Sequence, residues 1–159
     1  MKSMMAAVVA LLMFQKAILW GGNHYSDKLP AESCWLTWDK RDGTKSNPLA
    51  DCELAWTNLG GPARLFSHRW MGMIRESERE KRLHPTQKPV ALMRWCLAQA
   101  GLDANSLVLD PYMGSGPVMV AAKESGHRAI GIEIEERYCE IAAKRLAQGV
   151  LSEMFSGQT

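Results

Sequence analysis

Three features of the 159-residue sequence predict an α/β protein. The first is a short apolar run, Leu107-Val108-Leu109, that ends in Asp110 and passes through Pro111-Tyr112-Met113 into a glycine loop, Gly114-Ser115-Gly116. The second is a helix-forming stretch from Pro117 to Ser125, stopped by Gly126 and followed by another apolar run, Ala129 to Ile134. Strand, helix and strand in so short a span make a βαβ unit, with parallel strands and a right-handed crossover. The third is the position of the acid and the glycines, at the carboxyl end of a strand, where such sheets hold their ligands.

The remaining elements follow in chain order. The apolar stretch Met4 to Phe14 is too short to span a bilayer and lacks a small-residue cleavage site, so it is expected as a buried core segment, helical in character. Ala17 to Trp20 reads as a buried strand closed by the turn Gly21-Gly22-Asn23. Further strands are expected at Cys34 to Trp38, Glu53 to Thr57 and Ala63 to Phe66, separated by the polar 39–47 loop and by Gly60-Gly61-Pro62. Arg75 to Arg82 mixes charges of both signs and reads as a solvated loop or short helix. His84-Pro85-Thr86-Gln87-Lys88-Pro89 is an extended segment, and Pro89 suits the first turn of a helix running to Ala100, with Gly101 as terminator. A final helix is expected from Glu136 to Ala147, ending at Gly149.

Bulk composition excludes little. A hydrophobic content of 47% with 23% charged residues is ordinary for a soluble globular chain, and a net charge of +2 leaves any nucleic-acid contact to local patches. The four cysteines and four histidines are dispersed, without metal-ligand spacing, which reads as reduced thiols in a cytoplasmic protein with no membrane partner.

In the cofactor loop, Gly114 and Gly116 permit backbone angles and a close ligand approach that a β-carbon would obstruct. Amides at the start of the following helix favour a carboxylate or phosphate. Glu133, at the end of the next strand, can accept hydrogen bonds from both ribose hydroxyls of an adenosine-containing cofactor. A dinucleotide fingerprint would want a third glycine at position 119, where Met119 stands, so a nicotinamide-dependent dehydrogenase is a distant alternative.

The segments HPTQKP (84–89), DPYMGSG (110–116) and GIEIEERYCEIAAKRL (131–146), in an order that puts HPTQKP and the cofactor loop after the catalytic half, resemble the circularly permuted subgroup of amino-group DNA methyltransferases. Phage and prophage members share segments similar to Trp20-Gly21-Gly22-Asn23 and Trp38-Asp39-Lys40, and the similarity runs from Ala17 to Leu146. The resemblance implies a Rossmann-like, three-layer αβα methyltransferase fold. It implies S-adenosylmethionine as cofactor and methylation of adenine N6 or cytosine N4 in double-stranded DNA. By the same resemblance Asp110 and the backbone of Tyr112, Met113, Gly114, Ser115 and Gly116 would hold the methionine part of the cofactor. Glu133 would hold the ribose, Ile134 would pack on the adenine, and Thr86 and Lys88 would reach the cofactor carboxylate. Taken alone, Lys88 reads equally as a solvated surface lysine. Pro117 replaces the threonine most common after this loop, removing one amide donor and one hydroxyl.

The family presents the flipped base with an Asp/Asn/Ser-Pro-Pro-aromatic tetrapeptide, placed before the segment that begins at Ala17. This sequence has no Pro-Pro pair, so no catalytic residue is nominated. The sheet is therefore expected to lack its catalytic strand. Either the Leu107 and Ala17 strands pair directly, or Met4 to Phe14 fills the gap, or an upstream piece does. One methyltransferase domain is expected over 1–159, divided into a remnant of the catalytic half (1–70), a short charged recognition-type loop (71–83) and a cofactor-binding half (84–149). Arg69, Trp70, Arg75 and Arg79 are the DNA-contact candidates, Trp70 as the one DNA-facing tryptophan among six; an ordinary solvated charged loop is the competing reading. The functional alternative is a non-catalytic remnant that binds S-adenosylmethionine or DNA. It could equally be one part of a split enzyme that joins an upstream catalytic fragment or a second copy.

Overall fold

The computed structural model describes residues 14–44, 50–71, 74–78, 84 and 86–156, the last eight as backbone. The expected core segment before Phe14, the second half of the charged run including Arg79, and Pro85 lie outside the described residues. The chain divides into two compact units, one ending at Glu76 and one beginning at Ser77.

In the first unit β1 (Ile18–Trp20), β2 (Trp35–Asp39), β3 (Cys52–Thr57) and β4 (Arg64–Ser67) form one sheet in the order β1-β3-β2-β4. β3 runs antiparallel to both neighbours, and β4 runs parallel to β2. Leu36 and Trp38 alternate inward along β2 and are buried with Ala55, Trp56 and Thr57 of β3. The polar tips of these residues are satisfied. Trp38 Nε1 donates to the His68 carbonyl at 3.0 Å, Trp56 Nε1 to Pro30 at 2.9 Å, and Thr57 Oγ1 to Cys34 at 2.9 Å. All four expected strands of this unit form, within two residues of their predicted ends. A hairpin of β5 (Trp70–Met71) and β6 (Ile74–Arg75), too short for any periodicity to announce, was not expected.

The second unit contains α1 (Val90–Ala100), β7 (Leu107–Asp110), α2 (Pro117–Glu124), β8 (Arg128–Gly131) and α3 (Glu136–Ser156). β7 and β8 pair in parallel, Leu107 opposite Arg128 and Asp110 opposite Gly131, with α2 as the crossover. This is the predicted βαβ unit, and among the described residues β8 is the partner of β7. α1 ends as expected at Gly101, in the left-handed conformation (φ 52°), whose N–H returns to the Ala98 carbonyl at 3.1 Å. Two boundaries are corrected. β8 stops at Gly131 rather than Ile134, because the 132–134 segment bends back toward the loop after β7. α3 continues through Gly149 to Ser156, since a glycine without a capping geometry costs a helix only about 1 kcal/mol.

Candidate functional site

The site is built where β7 and β8 end. Beyond Gly131 the chain still follows its neighbour: Ile132 N donates to the Asp110 carbonyl at 2.8 Å, and Met113 N donates to the Ile132 carbonyl at 3.0 Å. These two bonds bring Glu133 to the glycine loop. One carboxylate oxygen accepts the Gly114 N–H at 3.0 Å and the other accepts the Glu135 N–H at 2.9 Å. Asp110, half-buried at the end of β7, accepts the Tyr112 N–H at 3.0 Å. Each carboxylate keeps further lone pairs for a ligand.

The two acids are pushed in opposite directions. Burial raises the Asp110 carboxyl above its ordinary value; the Tyr112 amide opposes the shift and the Glu133 charge adds to it. The Glu135 amide holds Glu133 below the usual carboxylate range; desolvation opposes it, and the Gly114 amide adds a smaller lowering. A depressed acid stabilises the folded state above its unfolded value and loses that stabilisation as pH falls through the folded one. Urea denaturation over a series of acidic pH values should therefore show part of the second unit's stability disappearing below the ordinary glutamate range. Glu133→Gln should flatten that part of the profile; an unchanged profile would contradict the assignment.

The loop sits on a floor of close contacts. Gly116, at φ 75°, closes the turn with its N–H on the Met113 carbonyl (2.8 Å), and its carbonyl accepts the first α2 bond from Val120 N (3.0 Å). A β-carbon on Gly116 would lie 2.8 Å from Ala142 Cβ of α3, whereas one on Gly114 would meet the His84 ring at an ordinary 3.6 Å. Ser115 is buried. Tyr112 and Ile134 are 62% and 95% exposed, leaving an aromatic and an aliphatic side chain open beside the carboxylates.

The structure brings part of the HPTQKP segment to this loop. His84 stacks edge-on against Tyr138 of α3, with ring centroids 4.2 Å apart. Its Nδ1 accepts the Thr86 N–H at 3.2 Å, and the Thr86 hydroxyl lies 3.1 Å from the same nitrogen. Thr86 is exposed, and Lys88 is half-buried just before α1. His84 and Tyr138 were missed because the sequence offers them only as a dispersed histidine and a helical aromatic.

Two charged residues were also missed. Arg145 Nη1 donates to the Ser115 carbonyl at 2.9 Å, and Nη2 donates to Glu78 Oε1 at 2.5 Å. The signal for Arg145 is its helical spacing from Tyr138 and Ala142, both buried, which puts the three on one face of α3. No comparable signal marks Glu78, which lies in a run of mixed charge.

Of the DNA-contact candidates, Trp70 is corrected: it is 6% exposed, between His68 (centroids 6.3 Å) and the Arg75 guanidinium, which lies 5.1 Å from its ring centre. A large ring with aromatic and cationic partners gains more from burial than from facing solvent. Arg69 is half-buried, with Nη2 3.4 Å from Asp42 Oδ2.

A DNA methylase family model matches residues 32–144. The chain belongs to the DNA methylase family. A type II methyltransferase of Lactococcus lactis, M2.LlaDCHI, is 34% identical over 115 residues, which cover 72% of this chain and 42% of that protein. M2.DpnII of Streptococcus pneumoniae is 41% identical over 78 residues, 48% of this chain and 29% of that one. The chain thus spans less than half the length of these relatives. The crystal structure of an M1.HpyAVI–SAM complex is similar at a TM-score of 0.59 and 24% identity, covering 82% of this chain and 74% of that one. The cytosine-N4-specific PvuII DNA methyltransferase gives 0.56 at 16% identity, covering 77% and 54%. The fold is the α/β, Rossmann-like fold of these enzymes; among the described residues β7 and β8 form a two-stranded sheet of their own.

Proposed function

We propose that this chain supplies the S-adenosylmethionine-binding part of a DNA amino-methyltransferase acting on adenine N6 or cytosine N4 in double-stranded DNA. The observation that carries the reading is the closure of the Gly114 amide on Glu133 beside a desolvated Asp110, at the carboxyl ends of two parallel strands. The donor set fits the cofactor. Asp110 would hold its ammonium, and Glu133 retains acceptor capacity for ribose hydroxyls. The exposed Ile134 offers the adenine an apolar face, and Thr86, bonded to the His84 ring that lies against Gly114, and Lys88 would be partners for the carboxylate. When bound, S-adenosylmethionine supplies an electrophilic methyl group; the chain's own residues bind and orient it. The M1.HpyAVI structure with SAM supports this choice of cofactor.

No Pro-Pro-aromatic segment is present to hold a flipped base, so the chain alone is assigned little or no turnover. Arg69, Arg75 and Arg79 remain the proposed DNA contacts, and the proposed setting is the cytoplasm; no helix among the described residues is long and apolar enough to cross a membrane. A second reading, one part of a split or self-associating enzyme, is favoured by β7 and β8, where Leu107, Leu109 and Ile130 are exposed on one face of the strand pair, with Arg128 at its edge. A labelled-methyl assay on adenine-rich and cytosine-rich duplexes tests the assignment. Photo-crosslinking of labelled cofactor to the chain without transfer to DNA is expected, and robust transfer would contradict the claim that the base-presenting half is missing.

A further inference from the structure

Two segments of the proposed site come from distant parts of the sequence: the glycine loop after β7 and the Thr86–Lys88 segment before α1. A half-buried ion pair joins them. Arg145, with 14% of its side chain exposed, holds the Ser115 carbonyl of the loop with one nitrogen and Glu78, 23% exposed, with the other. Glu78 Oε1 also accepts Gln87 Nε2 at 3.2 Å, and Oε2 accepts the Val90 N–H at 2.8 Å.

The Val90 amide is one of the unpaired donors at the start of α1, and Pro89 at the cap position has no side-chain acceptor to offer it. Glu78 supplies that acceptor from outside the helix, and its negative charge suits the helix N-terminus. Glu78 also holds a left-handed backbone conformation (φ 49°), which a residue with a β-carbon adopts only where its surroundings fix it. Its carboxylate therefore meets the helix start, Gln87 and Arg145 together, and through Arg145 the glycine loop.

We propose that Glu78 and Arg145 are positioning residues that set the spacing between the glycine loop and the Thr86–Lys88 segment, and thereby the affinity for the amino-acid end of S-adenosylmethionine. The inference rests on the cofactor reading above. Neither residue touches the ligand; they act through the two segments that do. Loss of the link should weaken a ligand that bridges both segments and spare one that uses only the Glu133 side.

Titration of the full chain with S-adenosylmethionine and with 5′-methylthioadenosine, which lacks the amino-acid end, separates these cases. In Arg145→Met and in Glu78→Gln, S-adenosylmethionine should bind about tenfold more weakly, with methylthioadenosine unchanged; Arg145→Lys, which keeps the charge without the planar fork, should recover part of the loss. Glu78→Gln retains an acceptor for Val90 and serves where Arg145→Met does not fold. Unchanged affinities, or equal losses for both compounds, would overturn the inference alone. A folded wild-type chain that binds neither compound would overturn the cofactor reading and this inference together.

Discussion

Gly116→Ala should destabilise the second unit by about 2–5 kcal/mol, read by urea denaturation of the full chain and localised by hydrogen exchange in α2 and α3. Two costs add. A left-handed backbone angle costs a residue with a β-carbon about 1–2 kcal/mol, and forcing a methyl into a filled contact costs about 1–3 kcal/mol. Gly116 incurs both, at φ 75° and with the new carbon 2.8 Å from Ala142 Cβ. Ala142 is buried on α3, so relief requires α3 to move away from the loop. Gly114→Ala is the internal control. Its φ is 52° but its nearest neighbour, the His84 ring, lies at 3.6 Å, so it should cost only about 1 kcal/mol, the conformational part. Equal losses in the two variants would contradict the packing argument.

Asp110→Asn should separate stability from binding. The raised carboxyl means that the folded chain binds this proton more tightly than the unfolded chain, so stability falls as pH rises above the ordinary aspartate value. At neutral pH the ionised, desolvated Asp110 is a cost to the fold. Asparagine removes the charge and still accepts the Tyr112 N–H, so the variant should be at least as stable as the parent at neutral pH. Any gain should vanish in acid, where the parent is protonated too. Cofactor affinity should move the other way. A charge-assisted hydrogen bond is worth about 1.5–3 kcal/mol, which predicts a loss of about 10- to 100-fold in S-adenosylmethionine binding. A variant both less stable at neutral pH and unimpaired in binding would contradict the role given to Asp110.

The last third of the chain was legible because its signals are local. An apolar run closed by an acid, glycines in left-handed turns, and a helix stopped by glycine each declare themselves within a few residues, and β7, α2 and the end of α1 formed where expected. The errors came where a tertiary contact overrides the local pattern. Ile132 and Ile134 extend the apolar alternation of β8, yet Glu133 between them is drawn to the Gly114 and Glu135 amides, and the strand ends early. Trp70 lies in a basic, polar stretch, but its ring is buried beside His68 and Arg75. Glu78 counted as one acid in a charged loop, and only the fold shows it reaching Val90, Gln87 and Arg145. Such contacts depend on partners many residues away and leave no periodicity to read.

In the proposed site the second unit holds S-adenosylmethionine between Asp110, the glycine loop and Glu133. Calorimetric titration of the full chain with S-adenosylmethionine, beside Glu133→Ala, tests it most directly. Saturable binding at one site is expected in the parent chain, and binding weakened about tenfold or more in the variant. A folded parent that gives no binding heat, or a variant that titrates like the parent, would contradict it.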